Sequence, residues 1–412
     1  MPDRHFDQLL IGGGLASVSC AEALREGGAD GSILIVGREP DPPYDRPPCS
    51  KGYMQGNQSR DETLLHPDDW YESKRVEVLT GTTVDSLDMR ERVATLSSRR
   101  EVSFGQALIA TGSSARRVTV PGANLAGIHY LRTIRDSDTI RQDAAGKRVV
   151  LIGGSYIGSE VAASLTELGC QCAIVMREEA VLSGGFGERA GRFFQGVLED
   201  HGIAVHGGQS LARFEGAQGR VSRVVTEAGL ELDADAVVIG VGAAPDVTLA
   251  RASGLEIGGA GGVRVDSRLQ TPVQGFYAAG DIAEYDSVVH GDVRRIEHWD
   301  VAFNQGRTVA QNMLGRDVPH DVVPYFFSDL SDWASLEYVG PALHWDREVV
   351  RGQLDDGQFT IFYLANDRVA AALTVGRSDD LDHARRMLTA AAPLDSAGVA
   401  ALADLSSDLE NL

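Results

Sequence analysis

Two glycine-rich turns, each between an apolar strand and a helix, constrain the fold of this chain more than any other feature. The first turn, GGGLAS, follows the strand FDQLLI (6–11), and the helix after it leads to the strand SILIV (32–36). In such a turn Gly12 makes the bend and Gly14 lets the backbone approach a pyrophosphate, which the helix N-terminus stabilises. Ser17 replaces the third glycine of GxGxxG and is small enough for close packing. The pattern predicts a dinucleotide-binding βαβ unit, with a tight turn that binds no ligand as the alternative.

The residue that follows the second strand of such a unit is usually acidic, because a carboxylate there accepts hydrogen bonds from the adenosine ribose. Here the two candidate positions hold Arg38 and Glu39. We therefore predict that Glu39 contacts the ribose.

The chain repeats this arrangement at residues 147–176, as KRVVLI, GGSYIG, a helix and QCAIVM. Gly153 and Gly158 occupy the first and third glycine positions, and Ser155 replaces the middle glycine. A serine there gives up some backbone approach or donates its hydroxyl to a phosphate. Two such units in one chain predict two dinucleotides, one permanently bound and one visiting.

The second unit lacks the expected acidic residue at the end of its second strand. Met176 and Arg177 stand there instead, followed by Glu178 and Glu179. Arg177 either accepts the 2′-phosphate of NADPH or is a solvated surface residue. The sequence leaves the choice between NADH and NADPH open.

Three further segments end apolar strands in small residues, which let the chain pass close to a cofactor. They are ALIATGSSARR (107–117), AVVIGVGAAPD (236–246) and FYAAGDIA (276–283). Asp281 in the last of these is a suitable acceptor for the hydroxyls of a ribityl chain. Together with two dinucleotide units, these segments predict a flavoprotein reductase.

Composition excludes several other classes of protein. The 412 residues predict two or three domains, and the net charge of −21 argues against binding of nucleic acid or anionic membranes. The N-terminal apolar run is short, so we expect neither a signal peptide nor a membrane span. The four cysteines show neither CxxC nor metal-ligand spacing, so we predict a reduced cytoplasmic protein without a metal site.

Seven short motifs, in this order, resemble those of the pyridine-nucleotide-dependent FAD reductases. The family includes the ferredoxin and rubredoxin reductases of Rieske oxygenases and bacterial cytochromes P450, and apoptosis-inducing factor is similar. Besides the first glycine turn, the resemblance is carried by PYDRPPCSK (43–51), ATG (110–112), GGSYIGSE (153–160), GVGAAPD (240–246), YAAGD (277–281), EHW (297–299) and PYFFSD (324–329).

The resemblance implies an α/β fold with two Rossmann-like domains, similar to glutathione reductase, and a small α+β C-terminal domain. A discontinuous FAD domain is expected at 1–115 and 245–324, because YAAGD must return to the flavin. The NAD(P)H domain is expected at 116–244 and the C-terminal interface domain at 325–412.

The resemblance also implies two catalytic residues. Lys51 is expected at the reactive edge of the isoalloxazine, where it stabilises negative charge on the reduced flavin. Glu160 is expected near the nicotinamide, in an ion pair with Lys51 that opens or reorients when the nicotinamide enters. An ordinary surface ion pair is the alternative.

The predicted cofactor-binding residues fall into two sets. For FAD they are Gly12, Gly14, Leu15, Ala16, Ser17, Glu39, Arg46, Lys51, Val84, Ala110, Thr111, Gly112, Arg116, Gly280, Asp281, Glu297, His298 and Trp299. For the nicotinamide nucleotide they are Gly153, Gly154, Ser155, Tyr156, Ile157, Gly158, Glu160, Arg177, Val241 and Gly242. Plain surface arginines are the alternative for Arg46 and Arg116, and core residues at a helix start are the alternative for His298 and Trp299.

The activity implied is hydride transfer from NADH or NADPH to FAD, followed by single-electron transfer to a small iron–sulfur ferredoxin. Arg294, Arg295, Arg307 and Arg316 make the segment 290–317 a candidate docking edge, with a solvated helix face as the alternative. A homodimer is a further expectation. A redox-signalling flavoprotein resembling apoptosis-inducing factor is one alternative function.

The other alternative is a thiol-dependent NADH oxidase, peroxidase or disulfide reductase that uses Cys49. In this family a leucine usually occupies that position, and free cysteine often serves as a small buried hydrophobe. We therefore predict that Cys49 packs and that Lys51 belongs to the chemistry. The same packing role is the default for Cys20, Cys170 and Cys172.

Overall fold

A computed structural model describes residues 2–412 of the chain, which divides into two compact units. The first unit contains residues 2–45, Arg60–Ser114 and Ala244–Pro324. The second contains Arg46–Ser59, Ala115–Ala243 and Tyr325–Leu412. Both units are therefore discontinuous in sequence.

The strands follow one another along the whole chain. They are β1 (Arg4–Ile11), β2 (Ile33–Val36), β3 (Val76–Leu79), β4 (Val84–Asp88), β5 (Val93–Leu96), β6 (Glu101–Ile109), β7 (Ser113–Ala115), β8 (Ile128–Tyr130), β9 (Arg148–Ile152), β10 (Gln171–Val175), β11 (Ala204–His206), β12 (Leu211–Ala217), β13 (Arg220–Thr226), β14 (Glu231–Asp233), β15 (Ala236–Ile239), β16 (Ala243–Pro245), β17 (Val263–Val265), β18 (Phe276–Ala278), β19 (Ala283–Ser287), β20 (Asp292–Arg294), β21 (Tyr325–Leu330), β22 (Ala334–Val339), β23 (Arg347–Gln353), β24 (Gln358–Ala365) and β25 (Arg368–Val375).

The helices are fewer. They are α1 (Leu15–Glu26), α2 (Gly52–Gln55), α3 (Asp68–Ser73), α4 (Ile134–Ala144), α5 (Tyr156–Glu167), α6 (Ser183–Asp200), α7 (Thr248–Ala252), α8 (Trp299–Met313), α9 (Asp379–Ala390) and α10 (Ser396–Ala403). Short 3₁₀ turns lie at Pro47–Ser50, Asp61–Thr63, Gly280–Ile282 and Leu409–Asn411.

The first unit is built on a sheet with the order β3-β2-β1-β6-β5-β4, and β18 also pairs with β6. The pairs among β3, β2, β1 and β6 are parallel, as is β18 with β6, whereas β4 and β5 are antiparallel additions. Four consecutive residues of β2, ILIV, are all buried, as expected for a parallel strand covered on both faces. Helices α1 and α8 pack against each other beside this sheet.

The second unit contains a fully parallel sheet with the order β11-β10-β9-β15-β8. Helix α5 joins β9 to β10 and buries small and apolar residues along most of its length. A separate antiparallel sheet, β12-β13-β14, packs Phe214 and Val224 into the same apolar core as Val150 and Val237.

Residues 325–412 of the second unit form an antiparallel sheet with the order β21-β22-β25-β24-β23. Helix α9 packs on β25, and α10 packs on β23. The buried guanidinium of Arg351 donates to the carbonyl oxygens of Asp404 and Ser407, which holds the C-terminal segment against β23. This segment is the predicted α+β part of the chain.

The fold class predicted from the two glycine turns is confirmed, because each turn lies between parallel strands of its own sheet. The domain boundaries stay a prediction. The segment Arg46–Ser59 groups with the second unit, although it was predicted within the FAD domain. Among residues 2–412, no helix combines the length and apolar character needed to cross a membrane.

Candidate active site

The glycine turn of the first unit leaves the N-terminus of α1 open. Gly12 has a φ of +123°, and a Cβ there would lie 2.0 Å from the carbonyl oxygen of Ala110, so only glycine fits the bend. Gly14 precedes α1, and within residues 2–412 no side chain caps the helix and no acidic residue lies in its first turn. The helix therefore presents free N–H groups and its positive dipole end, an arrangement that binds a pyrophosphate.

The second unit repeats this arrangement around α5. Gly153 has a φ of +104°, and a Cβ there would lie 2.3 Å from the carbonyl oxygen of Gly240. Ser155 precedes α5; among the described residues, no side chain caps the helix and its first turn contains no acid. A second open helix N-terminus is therefore available for a second phosphate group.

Buried polar groups near the first turn fit a bound FAD. Gln305 is 1% exposed, and its side-chain oxygen accepts the Gly280 N–H at 2.8 Å. Its amide nitrogen, like the buried Ser17 hydroxyl, has no hydrogen-bond partner among the described residues. Because buried polar groups are nearly always hydrogen-bonded, both are available to a ligand. Asp281 accepts a hydrogen bond from Ser113 at 2.6 Å.

The charged residues that follow β2 are held by other residues of the first unit. Arg38 forms an ion pair with Asp246, and Glu39 accepts a hydrogen bond from the Tyr44 hydroxyl. The Thr111 hydroxyl donates to the carbonyl oxygen of Asp246 at 2.7 Å. The Tyr44 hydroxyl orients the Glu39 carboxylate, whose role as a ribose acceptor stays a prediction.

Trp299 is the first residue of α8 and is not a core residue, since 36% of it is exposed. Its indole N–H donates to Asp45 at 2.6 Å, and its ring stacks on Phe303 at 5.5 Å between centroids. Burial raises the pKa of Asp45, and the indole hydrogen bond opposes that rise. Glu297 forms an ion pair with Arg295. The EHW segment therefore lies at a helix start, as expected, but with an exposed aromatic face.

The expected ion pair between Lys51 and Glu160 is present in the second unit. The Lys51 ammonium lies 3.3 Å from Oε1 of Glu160 and 3.0 Å from Oδ2 of Asp329. The Lys51 side chain is only 15% exposed, and that of Glu160 is 8% exposed. A surface pair is thereby excluded. One cation faces two carboxylates in a partly desolvated place, where electrostatic interactions are stronger than in water.

Two serine hydroxyls hold the Glu160 carboxylate. Ser50 donates to Oε2 and Ser328 donates to Oε1, both at 2.6 Å. The Ser164 hydroxyl, one turn further along α5, donates to the backbone carbonyl of Ser50 at 2.7 Å. A buried carboxylate needs such partners, because an unsatisfied charge in the interior is strongly unfavourable. Glu160 is therefore fixed in orientation from three parts of the chain.

Aromatic side chains surround this cluster. The Lys51 ammonium lies 4.5 Å from the centroid of the Phe327 ring, and Phe327 stacks on Tyr325 at 6.3 Å. Tyr156 packs against Phe326 with centroids 4.4 Å apart, and burial raises the pKa of Tyr156 to about 12. The phenol therefore stays protonated near neutral pH.

The remaining predicted cofactor arginines differ in what they contact. Arg46 donates to the backbone carbonyl of Arg132 at 2.8 Å, and Arg116 donates to that of Ala243 at 2.8 Å. Arg177 is exposed and has no hydrogen bond or ion pair among the described residues. Val84 begins β4 and is buried, and two residues before it the Thr82 N–H donates to the carbonyl oxygen of Gly37 at 2.9 Å, so its place beside the adenine stays a prediction.

Cys49 lies in the 3₁₀ turn Pro47–Ser50 and is 2% exposed. The other cysteines are also buried, and among residues 2–412 no disulfide links any of the four. Burial raises the pKa of Cys20 and raises that of Cys172 to about 12, which keeps these thiols protonated. Burial of Cys49 supports its predicted packing role.

Sequence reasoning missed Ser50, Ser328, Asp329 and Gln305. Ser328 and Asp329 end the PYFFSD segment that carried the resemblance, so the signal was a pair of polar residues after an aromatic run. Ser50 directly precedes Lys51 in the predicted catalytic segment. Nothing local in the sequence marks Gln305, because its role depends on the turn at Gly280.

The predicted docking edge has little free positive charge. Arg294 forms an ion pair with Asp292, and Arg295 with Glu297. Arg307 contacts Glu26 and Glu22, at 2.6 Å and 3.8 Å. Adjacent carboxylates thus neutralise three of the four arginines, which the sequence order alone only partly revealed.

Two glycine turns with open helix termini, in two units with parallel sheets, define an oxidoreductase that handles two dinucleotides. Residues 6–306 match the family described as pyridine nucleotide-disulphide oxidoreductase, and residues 325–412 match the family described as reductase C-terminal. The chain belongs to the pyridine nucleotide-disulphide oxidoreductase family.

Named relatives are similar over nearly the whole chain. The probable ferredoxin reductase CtmF of Castellaniella defragrans is 34% identical over 372 residues, which cover 89% of this chain and 90% of that protein. The crystal structure of the ferredoxin reductase for the CYP199A2 system of Rhodopseudomonas palustris has a TM-score of 0.93 and 30% identity, covering 98% of this chain and 99% of that one.

A second similar structure contains a partner protein. It is the covalent putidaredoxin reductase–putidaredoxin complex, with a TM-score of 0.92 and 31% identity, covering 100% of this chain and 98% of that one.

Proposed function

We propose that this chain is an FAD-dependent NAD(P)H:ferredoxin reductase, which takes a hydride from a nicotinamide nucleotide and delivers single electrons to an iron–sulfur ferredoxin. The observation that carries the proposal is the pair of open helix N-termini, one after Gly14 and one after Ser155. Two dinucleotides need two such sites. FAD, when bound, accepts two electrons as a hydride and releases them singly.

The first unit holds the FAD in this proposal. The N-terminus of α1 binds the pyrophosphate, Glu39 accepts from the ribose, and Asp281 accepts from the ribityl hydroxyls. The other proposed contacts of this unit are Gly12, Gly14, Leu15, Ala16, Ser17, Val84, Ala110, Thr111, Gly112, Gly280, Glu297, His298 and Trp299, and the buried amide nitrogen of Gln305 supports a further donor there. Arg46 and Arg116, which belong to the second unit, are also proposed as FAD contacts.

The second unit holds the nicotinamide nucleotide. The N-terminus of α5 binds its pyrophosphate, with Gly153, Gly154, Ser155, Tyr156, Ile157, Gly158, Arg177, Val241 and Gly242 as the proposed contacts. Glu160 orients the nicotinamide, and Lys51 stabilises the negative charge that develops during hydride transfer. A fixed Glu160 supports this role, since its two hydroxyl donors reduce the reorganisation needed when the nucleotide enters.

A ferredoxin is the proposed electron acceptor. Putidaredoxin reductase, 31% identical to this chain, has been solved in covalent complex with putidaredoxin. The thiol-dependent alternative has no comparable support, because Cys49 is 2% exposed. Action in the cytoplasm and a homodimeric state belong to the proposal as well. The absence of a disulfide among the four cysteines of the described residues supports the former, and light scattering tests the latter.

Anaerobic titration of the FAD-loaded protein tests the proposal. NADH or NADPH is expected to bleach the flavin absorbance, and a ferredoxin is expected to restore it faster than oxygen, a quinone or a disulfide. A protein that is purified colourless and takes up no FAD on reconstitution contradicts the proposal. Fastest reoxidation by the disulfide, abolished in C49S, supports the thiol-dependent alternative instead.

A further inference from the structure

The two βαβ units have the same pattern of backbone hydrogen bonds and the same strand register, so their residues can be compared position by position. The Gly12 N–H donates to the Val36 carbonyl at 2.8 Å, and the Gly153 N–H donates to the Val175 carbonyl at 2.8 Å. In the sheets, Ile11 pairs with Val36, as Ile152 pairs with Val175. The three residues after β2, 37–39, therefore correspond to the three residues after β10, 176–178.

The first of these three positions lies directly against the glycine turn in both units. A Cβ on Gly13 would lie 3.2 Å from the Cα of Gly37, and a Cβ on Gly154 would lie 2.1 Å from the Sδ of Met176. The Met176 side chain therefore covers the turn of the second unit. A carboxylate at this place accepts from the 2′-hydroxyl of an NADH ribose, and a thioether does so only weakly.

The second position holds an arginine in both units, but only Arg38 forms an ion pair and a hydrogen bond with other residues. Arg38 is engaged by Asp246 and also donates to Ser114 at 3.4 Å. Arg177 is exposed, and no described residue accepts a hydrogen bond from it. The guanidinium next to the second nucleotide turn is thus available to a ligand.

The third position is acidic in both units, but the Tyr44 hydroxyl holds Glu39, whereas Glu178 is exposed and Glu179 follows it. Glu179 is directed towards the loop after β11, because a Cβ on Gly208 would lie 3.0 Å from its Oε1. Glu178 is exposed, as Arg177 is, so water and salt screen its repulsion of an anion. A guanidinium that contacts a phosphate directly through two hydrogen bonds outweighs a screened carboxylate.

We infer that the nucleotide site of the second unit selects NADPH, with Arg177 binding the 2′-phosphate and Met176 placing a thioether beside the glycine turn, where a carboxylate would accept from an NADH ribose. The inference deepens the proposed function and rests on it for the identity of the site. The 2′-phosphate carries close to two negative charges at neutral pH, so a free arginine distinguishes it strongly from a hydroxyl.

Isothermal titration of the FAD-loaded protein with two fragments tests the inference without turnover. 2′,5′-ADP carries the 2′-phosphate, and 5′-AMP lacks it. We expect 2′,5′-ADP to bind at least about tenfold more tightly, the range of one charge-assisted contact. R177L is expected to remove that difference by lowering the affinity for 2′,5′-ADP towards that for 5′-AMP. R192L is the matched control, since Arg192 is an exposed arginine of the same unit that pairs with Glu188.

Kinetics give the second readout. The wild-type ratio of kcat/KM for NADPH over NADH is expected to exceed one, to fall in R177L and to invert in M176E. Equal binding of the two fragments, or no binding of either fragment, overturns the inference. A wild-type preference for NADH that E178Q abolishes overturns it as well. Failure of both nucleotides to reduce the flavin while 2′,5′-ADP still binds through Arg177 contradicts the proposed function and supports the inferred phosphate site.

Discussion

The Ser328 hydroxyl donates a hydrogen bond to Oε1 of Glu160 at 2.6 Å, and that same oxygen lies 3.3 Å from the Lys51 ammonium. Ser328 thus helps to fix the position of Oε1, which lies between the Ser328 hydroxyl and the Lys51 ammonium. Because Glu160 is buried, losing one donor leaves its charge under-satisfied and free to rotate towards Lys51.

Removing that hydroxyl is expected to slow flavin reduction. S328A loses one hydrogen bond to a charged group, about 1.5–3 kcal/mol, so the rate of reduction by the preferred nucleotide falls about tenfold or more. Stopped-flow flavin absorbance measures it. S328T keeps a hydroxyl and is expected to recover most of the rate, and S222A, at an exposed position, is expected to behave as wild type. Equal rates in S328A and wild type would remove Ser328 from the positioning of Glu160.

Lys51 is expected to matter more than either serine, because it faces two carboxylates. K51M leaves Glu160 and Asp329 without their cation and removes the charge that we propose stabilises the reduced cofactor. We expect flavin reduction about 100-fold slower, the range seen when one stabilising donor is deleted. K51R, which keeps the charge, is expected to fall between K51M and wild type. The FAD content of each variant is measured first, and an unchanged rate in FAD-loaded K51M would exclude Lys51 from the site.

Replacing Cys49 is expected to leave electron transfer to ferredoxin nearly intact. The thiol is buried in a proline-rich 3₁₀ turn, and packing is its predicted role. C49S places a hydroxyl at this buried position, so C49A is tested beside it. Turnover within about twofold of wild type, with thermal unfolding shifted slightly downwards, is the expected result; a twofold rate change corresponds to only about 0.4 kcal/mol. Loss of turnover in both variants, with FAD retained, would favour the thiol-dependent reaction.

The first unit is expected to lose stability in mild acid through His320. Burial lowers the pKa of this histidine from 6.5 to about 4, so the folded chain keeps it neutral. Between these values the unfolded chain binds more protons, and the free energy of unfolding therefore falls as pH falls from 6.5 towards 4. At about pH 5 the loss amounts to about 2 kcal/mol.

H320Q tests this pH dependence, because glutamine keeps a polar partner for Thr308, whose hydroxyl lies 3.1 Å from Nδ1 of His320. Urea unfolding near pH 7.5 and pH 5 is expected to show a smaller difference in H320Q than in wild type. H5Q, at an exposed position, is the control. An acid sensitivity unchanged by H320Q would assign the loss to other groups, such as His290, whose pKa burial also lowers to about 4.

Local patterns were sufficient to predict both nucleotide units. Each unit is marked by three features: a bend that only glycine fits, an open helix start and a buried apolar strand. Because all three depend on residues adjacent in the sequence, Gly12 and Gly153 could be identified without the structure. The choice of Lys51 and Glu160 came from the resemblance, and their ion pair was found as expected.

Contacts between distant segments could not be predicted in the same way. The partners Ser50 and Ser328 are separated from Glu160 by 110 and 168 positions, and no periodicity relates them. The proposed docking edge was similarly uncertain, because pairing of Arg307 with Glu26 depends on how α8 packs on α1.

Arg46–Ser59 groups with residues 115–243 and 325–412, although it lies early in the chain. The ribosome therefore synthesises Lys51, the predicted catalytic lysine, long before Ser328 and Asp329, which belong to the same cluster. The Glu160 carboxylate of α5 can contact Ser328 only after that residue has been synthesised. The cluster around Glu160 is therefore among the last features to form during synthesis. A chain that ended before β21 would contain both glycine-turn βαβ units but would lack Ser328 and Asp329 of this cluster.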